Sequence, residues 1–184
     1  MRQHVVLSVL WLSTSNDMET QIHTSGVVCN LTSNGELLHS LAKHEITTAI
    51  VELAKSDNAE VRRRCAIALA NLTSEPKAHE MMASHKCIDG LLDLCRDAPK
   101  DRGFLLARAF LNLSFTSAVC NELCDENVVE VLSELSRRDN GPIRKAVAVA
   151  FSNLTTVDSS HKPVGVGIVD LLSTAVSCFY TADD

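Results

Sequence analysis

Residues 44–76 read HEITTAIVELAKSDNAEVRRRCAIALANLTSEP, and residues 126–158 read ENVVEVLSELSRRDNGPIRKAVAVAFSNLTTVD. Each runs from an apolar stretch through a polar break to a second apolar stretch that closes on Asn-Leu-Thr. The closing triplet recurs at Asn30, Asn71, Asn112 (with serine for threonine) and Asn153, 41 residues apart each time. Asn-x-Ser/Thr is also the acceptor pattern for N-linked glycans, but glycosylation imposes no period. A stacked repeat does, because every unit must bury its neighbour in the same way. The four asparagines are therefore one position in four copies of a unit.

Each asparagine is reached along a helical wheel of about 100° per residue. Leucine always follows it: Leu31, Leu72, Leu113 and Leu154. Two residues before it stand Val28, Leu69, Phe110 and Phe151; six before, Thr24, Cys65, Leu106 and Val147. These columns form an apolar face, and the asparagine points away from it. Five before come Ser25, Ala66, Ala107 and Ala148, and three before, Val27, Ala68, Ala109 and Ala150. Small residues in those columns let neighbouring helices approach closely.

The start signals agree. Asp57 or Asn58 suits an N-cap, with Glu60 in the first turn; Asp139 or Asn140 does the same further on, with Pro142 just inside the helix. A second apolar helix precedes each of these, and a shorter, more variable helix precedes that. The reading is a three-helix unit of about 41 residues. It divides the chain into a partial unit 1–32, units 33–73, 74–114 and 115–155, and a degenerate partial unit 156–184, broken by Pro163, Gly165 and Gly167. The chain thus reads as starting and stopping inside repeats, as a piece of a longer solenoid or one whose ends pair with something.

Composition fits. Apolar residues make up 46% of the 184-residue chain but aromatics only 4%, so small aliphatic side chains supply the burial. The net charge of −6 and the lack of a basic tail argue against nucleic-acid binding. Seven cysteines, an odd number without Cys-x-x-Cys, fall mostly inside apolar helical patterns and suit a reducing compartment. Cys120 and Cys124 lack the histidines that would complete a metal site. The apolar run near the N-terminus is too short to span a membrane, and it aligns one period ahead of residues 46–53, so it reads as a repeat helix.

Three helices per unit, the small-residue columns and the closing Asn-Leu resemble the armadillo repeat family, with HEAT repeats as the near alternative. The resemblance covers nearly the whole chain. It implies an all-α, right-handed superhelical solenoid whose third helices line a concave groove, where a ladder of asparagines holds the main chain of an extended partner. Asn30, Asn71, Asn112 and Asn153 match that ladder; the other reading is that they cap or bridge between repeats. Their neighbours on the same face include Arg63, Arg64, Phe104, Arg108 and Lys145. Nuclear-import receptors place tryptophan four residues before the asparagine. Gly26, Ile67, Arg108 and Val149 stand there, which removes the stacking surface for lysine and argues against import-signal binding.

No catalytic motif appears, and the seven histidines are scattered. The expectation is a non-enzymatic scaffold without cofactor or metal, inserted in no membrane, binding a protein segment of acidic and apolar character. Cytoplasmic location is expected, with the nucleus or cytoskeleton as further options. The alternatives are the substrate-recruiting region of a larger enzyme such as a ubiquitin ligase, and a structural solenoid of a cytoskeletal or ciliary assembly.

Overall fold

The computed structural model describes residues 2–41, 46–84, 87–96, 99–124, 126–137 and 141–156. The degenerate unit expected from residue 156 onward lies outside these, Thr156 excepted, as do Asp139 and Asn140. The described chain is an all-α solenoid. Among the described residues no helix is long and apolar enough to cross a membrane.

The first pair is α1 (Arg2–Ser13) and α2 (Met18–Ser33). Three triplets follow. The first is α3 (Gly35–Leu41), α4 (Ile46–Ala54) and α5 (Ala59–Leu72). The second is a 3-10 turn at Pro76–Ala78 leading into α6 (His79–Ser84), then α7 (Cys87–Arg96) and α8 (Lys100–Ser114). The third is α9 (Ser117–Leu123), α10 (Glu126–Ser136) and α11 (Gly141–Thr155).

The caps follow the sequence chemistry. Asp17 caps α2 through its carboxylate, which accepts from the Thr20 N–H at 2.7 Å and from the Thr20 hydroxyl. Those bonds favour the charged form, the hydroxyl's most, and hold the carboxyl below its ordinary range. Asn58 caps α5, accepting from the N–H groups of Glu60 and Val61.

Second helices stack on second helices, α1 on α4, α4 on α7 and α7 on α10. Third helices stack on third helices, α2 on α5, α5 on α8 and α8 on α11. The core lies between these two layers. Ile46, Ile50, Leu53, Leu91 and Leu94 enter it from the second layer, and Leu69, Leu72, Phe110, Leu113 and Phe151 from the third, all fully buried. Close approach in the second layer depends on Gly90, whose missing Cβ would meet Val51 Cγ2 at 3.0 Å.

The two small-residue columns face opposite neighbours. Ala68, Ala109 and Ala150, three before the asparagine, are buried, whereas Val27 in the first pair is exposed. Ser25, Ala66 and Ala107, five before it, are buried, whereas Ala148 in α11 is only half-buried. The −3 column thus packs toward the preceding unit and the −5 column toward the following one.

Candidate third-helix interface

The closing triplets at the ends of α2, α5, α8 and α11 form a polar ladder. Asn71 Nδ2 donates to Ser33 Oγ at 3.2 Å, Asn112 Nδ2 to Thr73 Oγ1 at 3.3 Å, and Asn153 Nδ2 to Ser114 Oγ at 2.9 Å. The acceptors donate their own protons into their helix: Ser33 to Cys29 O, Thr73 to Ala70 O and Ser114 to Leu111 O. Each hydroxyl is thus donor and acceptor at once, which fixes its rotor. The asparagines bridge between repeats, and Asn71, Asn112 and Asn153 are half-buried while Asn30 is exposed. Each bridging amide has spent one of its two N–H groups, leaving the other and the carbonyl oxygen for a further partner.

One turn and more toward the N-terminus lie the charged candidates. Glu60, in the first turn of α5, anchors two of them. Arg63 makes a bidentate pair with its carboxylate through Nε (2.8 Å) and Nη2 (3.0 Å). Arg64 donates from Nε to Glu60 Oε1 at 2.9 Å and from Nη1 across to the Ile22 carbonyl of α2 at 2.7 Å. The hydrogen bond from Arg63, followed by those of Arg64 and the charge of both guanidiniums, lowers the Glu60 carboxyl to about 2. Gly26 makes room: a Cβ there would stand 3.2 Å from Arg64 Nη1. The position that holds tryptophan in import receptors is therefore filled from the next helix by a guanidinium.

The α8–α11 part of the face differs. Arg108 is half-buried, Lys145 and Phe104 are exposed, and the position equivalent to Arg64 holds Leu105 in α8 and Ala146 in α11. Phe104 and Arg108 are four residues apart on α8 and share its face. The structure thus divides the expected set. Arg63 and Arg64 are tied into an intramolecular cluster, while Phe104, Arg108 and Lys145 lie outside it on the next two third helices.

The layer has its own charge. Helices α5, α8 and α11 carry Glu60 and Asp101 against Arg62, Arg63, Arg64, Lys100, Arg102, Arg108, Arg144 and Lys145. Helices α4, α7 and α10 carry Glu52, Asp89, Asp93, Glu126, Glu130 and Glu134 against Arg96 alone. From α4 onward the cations lie mainly on the third helices; in the first pair the order is reversed, with Arg2 on α1 and Glu19 but no Lys or Arg on α2.

Sequence reasoning passed over four participants: Glu60 as an anchor, and the hydroxyls of Ser33, Thr73 and Ser114. For Thr73 and Ser114 the signal was present in the third residue of the triplet, which keeps a hydroxyl throughout (Thr32, Thr73, Ser114 and Thr155); the first rung uses Ser33, one residue beyond its triplet. It also passed over His79, which is buried between repeats. Its Nε2 donates to the Thr73 carbonyl at 2.7 Å, so Nδ1 accepts from the Thr116 hydroxyl. Burial pushes the thiols of Cys65 and Cys87 up to about 12 and raises those of Cys120 and Cys124. Among the described residues no three His, Cys, Asp or Glu side chains converge as a metal site would require.

The fold is that of an armadillo-type repeat solenoid. The chain is similar to a designed armadillo repeat protein at 16% identity and a TM-score of 0.75, covering 96% of this chain and 74% of that one. It is similar to computationally designed armadillo repeat proteins for modular peptide recognition at 14% identity and a TM-score of 0.72, covering 92% and 80%. It also matches a designed armadillo repeat protein in complex with the peptide (KR)4, at 16% identity and a TM-score of 0.51, covering 93% and 80%. No protein-family model matches the sequence, and no curated protein does.

Proposed function

We propose that the chain is a protein-binding scaffold that holds an extended partner segment of acidic and apolar residues along its third helices, centred on Phe104, Arg108 and Lys145. The observation that carries this is the charge sorting. A net-acidic chain that concentrates cations on α5, α8 and α11 sets up a local field favouring acidic segments there. Phe104, 38% exposed beside Arg108, offers an apolar contact on the same face. The second amide N–H of Asn112 and Asn153 supplies a donor for a partner main chain. The designed neighbour bound to (KR)4 takes a basic peptide; the cations on this face argue for the opposite charge.

The test is fluorescence anisotropy with labelled alternating Glu-Leu and Lys-Arg peptides on the wild type and on Arg108→Glu/Lys145→Glu. The acidic peptide binds more tightly to the wild type, and the double variant loses about 10-fold or more of that affinity, roughly 1.4 kcal/mol. Equal binding of both peptides by the wild type sinks the reading. Arg63→Gln costs the acidic peptide less affinity than Arg108→Gln does, because the Arg63 guanidinium is already held by Glu60.

A further inference from the structure

The Glu60–Arg63–Arg64 cluster of α5 has equivalents one and two repeats on. They are Asp101, Phe104 and Leu105 on α8, and Pro142, Lys145 and Ala146 on α11. On α5 one carboxylate is held by two guanidiniums. On α11 one cation is kept as Lys145, and Pro142 stands where the carboxylate was.

The other cation comes from across the interface. Third helices stack in nearly one register, the amide rungs spanning 38, 39 and 39 residues. In the α2–α5 crevice Gly26 faces Arg64, and a Cβ on the glycine would stand 3.2 Å from Nη1. One repeat on, the same two positions hold the apolar pair Ile67 and Leu105; two repeats on, they hold Arg108 and Ala146. Small residue and guanidinium have exchanged helices. Lys145 precedes Ala146 as Arg63 precedes Arg64. Arg108 is half-buried and Lys145 exposed, and among the described residues no carboxylate pairs with either. The α8–α11 crevice thus repeats the two cations of the α5 cluster without the anion between them.

The missing anion sets the ligand chemistry. A carboxylate would balance one of the two positive charges. A phosphate monoester carries about −1.5 to −2 at neutral pH and balances nearly both, with three acceptor oxygens to share. The planar Arg108 fork can take two of those oxygens, and the Lys145 ammonium adds a compact charge beside them. Phe104, one turn before Arg108 on the same face and partly exposed, offers a contact for an apolar neighbour of the phosphorylated residue.

We infer, resting on the reading that an acidic and apolar segment lies along the third helices, that the α8–α11 crevice is a subsite for the phosphate of a phosphorylated serine or threonine in that segment. Arg108 and Lys145 bind it, and phosphorylation of the segment tightens the complex.

The test is fluorescence anisotropy at about pH 7.5, where the phosphate is a dianion. The probes are the Glu-Leu peptide and the same peptide with phosphoserine in place of its central glutamate. The phosphoserine peptide binds the wild type about 10-fold or more tightly than its parent does. Pro142→Glu puts a carboxylate three residues before Lys145, as Glu60 stands before Arg63, and brings the two peptides within about 2-fold of each other. Pro142 is exposed in the first turn of α11, where glutamate suits the helix, so the variant keeps its helicity and melting. Equal affinity of the two peptides for the wild type, with Glu-Leu still preferred over Lys-Arg, would overturn the subsite and leave the scaffold reading standing. A wild type that prefers neither acidic peptide to Lys-Arg overturns both. A phosphoserine gain that survives Pro142→Glu puts the phosphate elsewhere and overturns the subsite. So does inorganic phosphate that displaces the labelled phosphopeptide as effectively as the unlabelled one, because the free anion would then be the occupant.

Discussion

Asn153 Nδ2 lies 2.9 Å from Ser114 Oγ, so the first residue of one Asn-Leu-Ser/Thr triplet donates to the third residue of the one before it. Both ends of the sequon-like pattern are accounted for by this rung. The asparagine is kept as donor and the hydroxyl as acceptor, and the 39 residues between them are the 41-residue period less two. The Asn112–Thr73 rung repeats the spacing, and the Asn71–Ser33 rung is one residue shorter, with its acceptor just past the triplet.

Removing one acceptor tests that bond. Thr73→Val keeps the shape of the buried side chain and deletes the hydroxyl that receives Asn112. The expected loss is about 1 kcal/mol, since Asn112 is half-buried and water replaces part of the bond. For a chain of this size that lowers Tm by roughly 2–4 °C. Thr73→Ser retains the hydroxyl and loses less, a ranking that calorimetry or urea titration reads directly.

Two glycines give opposite signs on the same substitution. Gly26→Ala and Gly90→Ala each remove a helical glycine, worth about 0.5–1 kcal/mol in propensity. At Gly26 the new methyl meets the far end of Arg64, a flexible side chain that can give way, so the variant is the more stable protein. At Gly90 it meets the branched Val51 side chain inside the α4–α7 interface. Overpacking there costs about 1–3 kcal/mol, which outweighs the propensity gain. Paired thermal melts decide it; a stabilised Gly90→Ala would show that α4 and α7 can slide apart freely.

Glu60 carries a pH signature. Its carboxyl sits at about 2 in the folded chain against an ordinary value of 4.5, because Arg63 and Arg64 hold the charged form. A depressed folded value means the stabilisation is present above about pH 4.5 and is lost as pH falls toward 2. The carboxylate is partly exposed, so the effect is modest and weakens in salt. The Tm difference between wild type and Glu60→Gln should therefore shrink between pH 5 and pH 2. A difference that stays constant over that range would remove the ion pairs from the account.

Thiol labelling probes the core. Cys65 and Cys87 are fully buried and pushed up to about 12 by loss of hydration, so at pH 8 they are protonated as well as inaccessible. Iodoacetamide should spare both in the native chain and modify both in urea, with mass spectrometry locating the adducts. Rapid native labelling of Cys65 would mean that the α2–α5 layer opens readily.

Much of the fold was legible because a solenoid writes its contacts locally. The asparagine column, the apolar columns two and six residues before it and the Asn58 cap each depend on residues within one helix turn or one period. Glu60 with Arg63 and Arg64 was equally local, at spacings of three and four, and could have been read as a cluster before any groove was drawn. The reach of Arg64 to the Ile22 carbonyl could not, since it depends on how far one third helix is advanced over the next. The same holds for the −3 and −5 columns: both read simply as small, and only the stack shows that they face opposite neighbours. His79 sits in the short, variable first helix, where the period is weakest, and nothing in its surroundings in sequence marks it as buried.

The amide rungs have a mechanical corollary. All three cross from one unit to the next at the C-terminal ends of the third helices. In a stack where each unit touches only its neighbours, those ends act as the clasps that set spacing along one edge. A ligand that recruits the bridging N–H of Asn71, Asn112 or Asn153 must unfasten a clasp, and the edge lengthens there. Occupied and empty chains would then differ in stiffness and in pitch, and a pull on the two ends of the solenoid would change its grip on whatever lies along that edge.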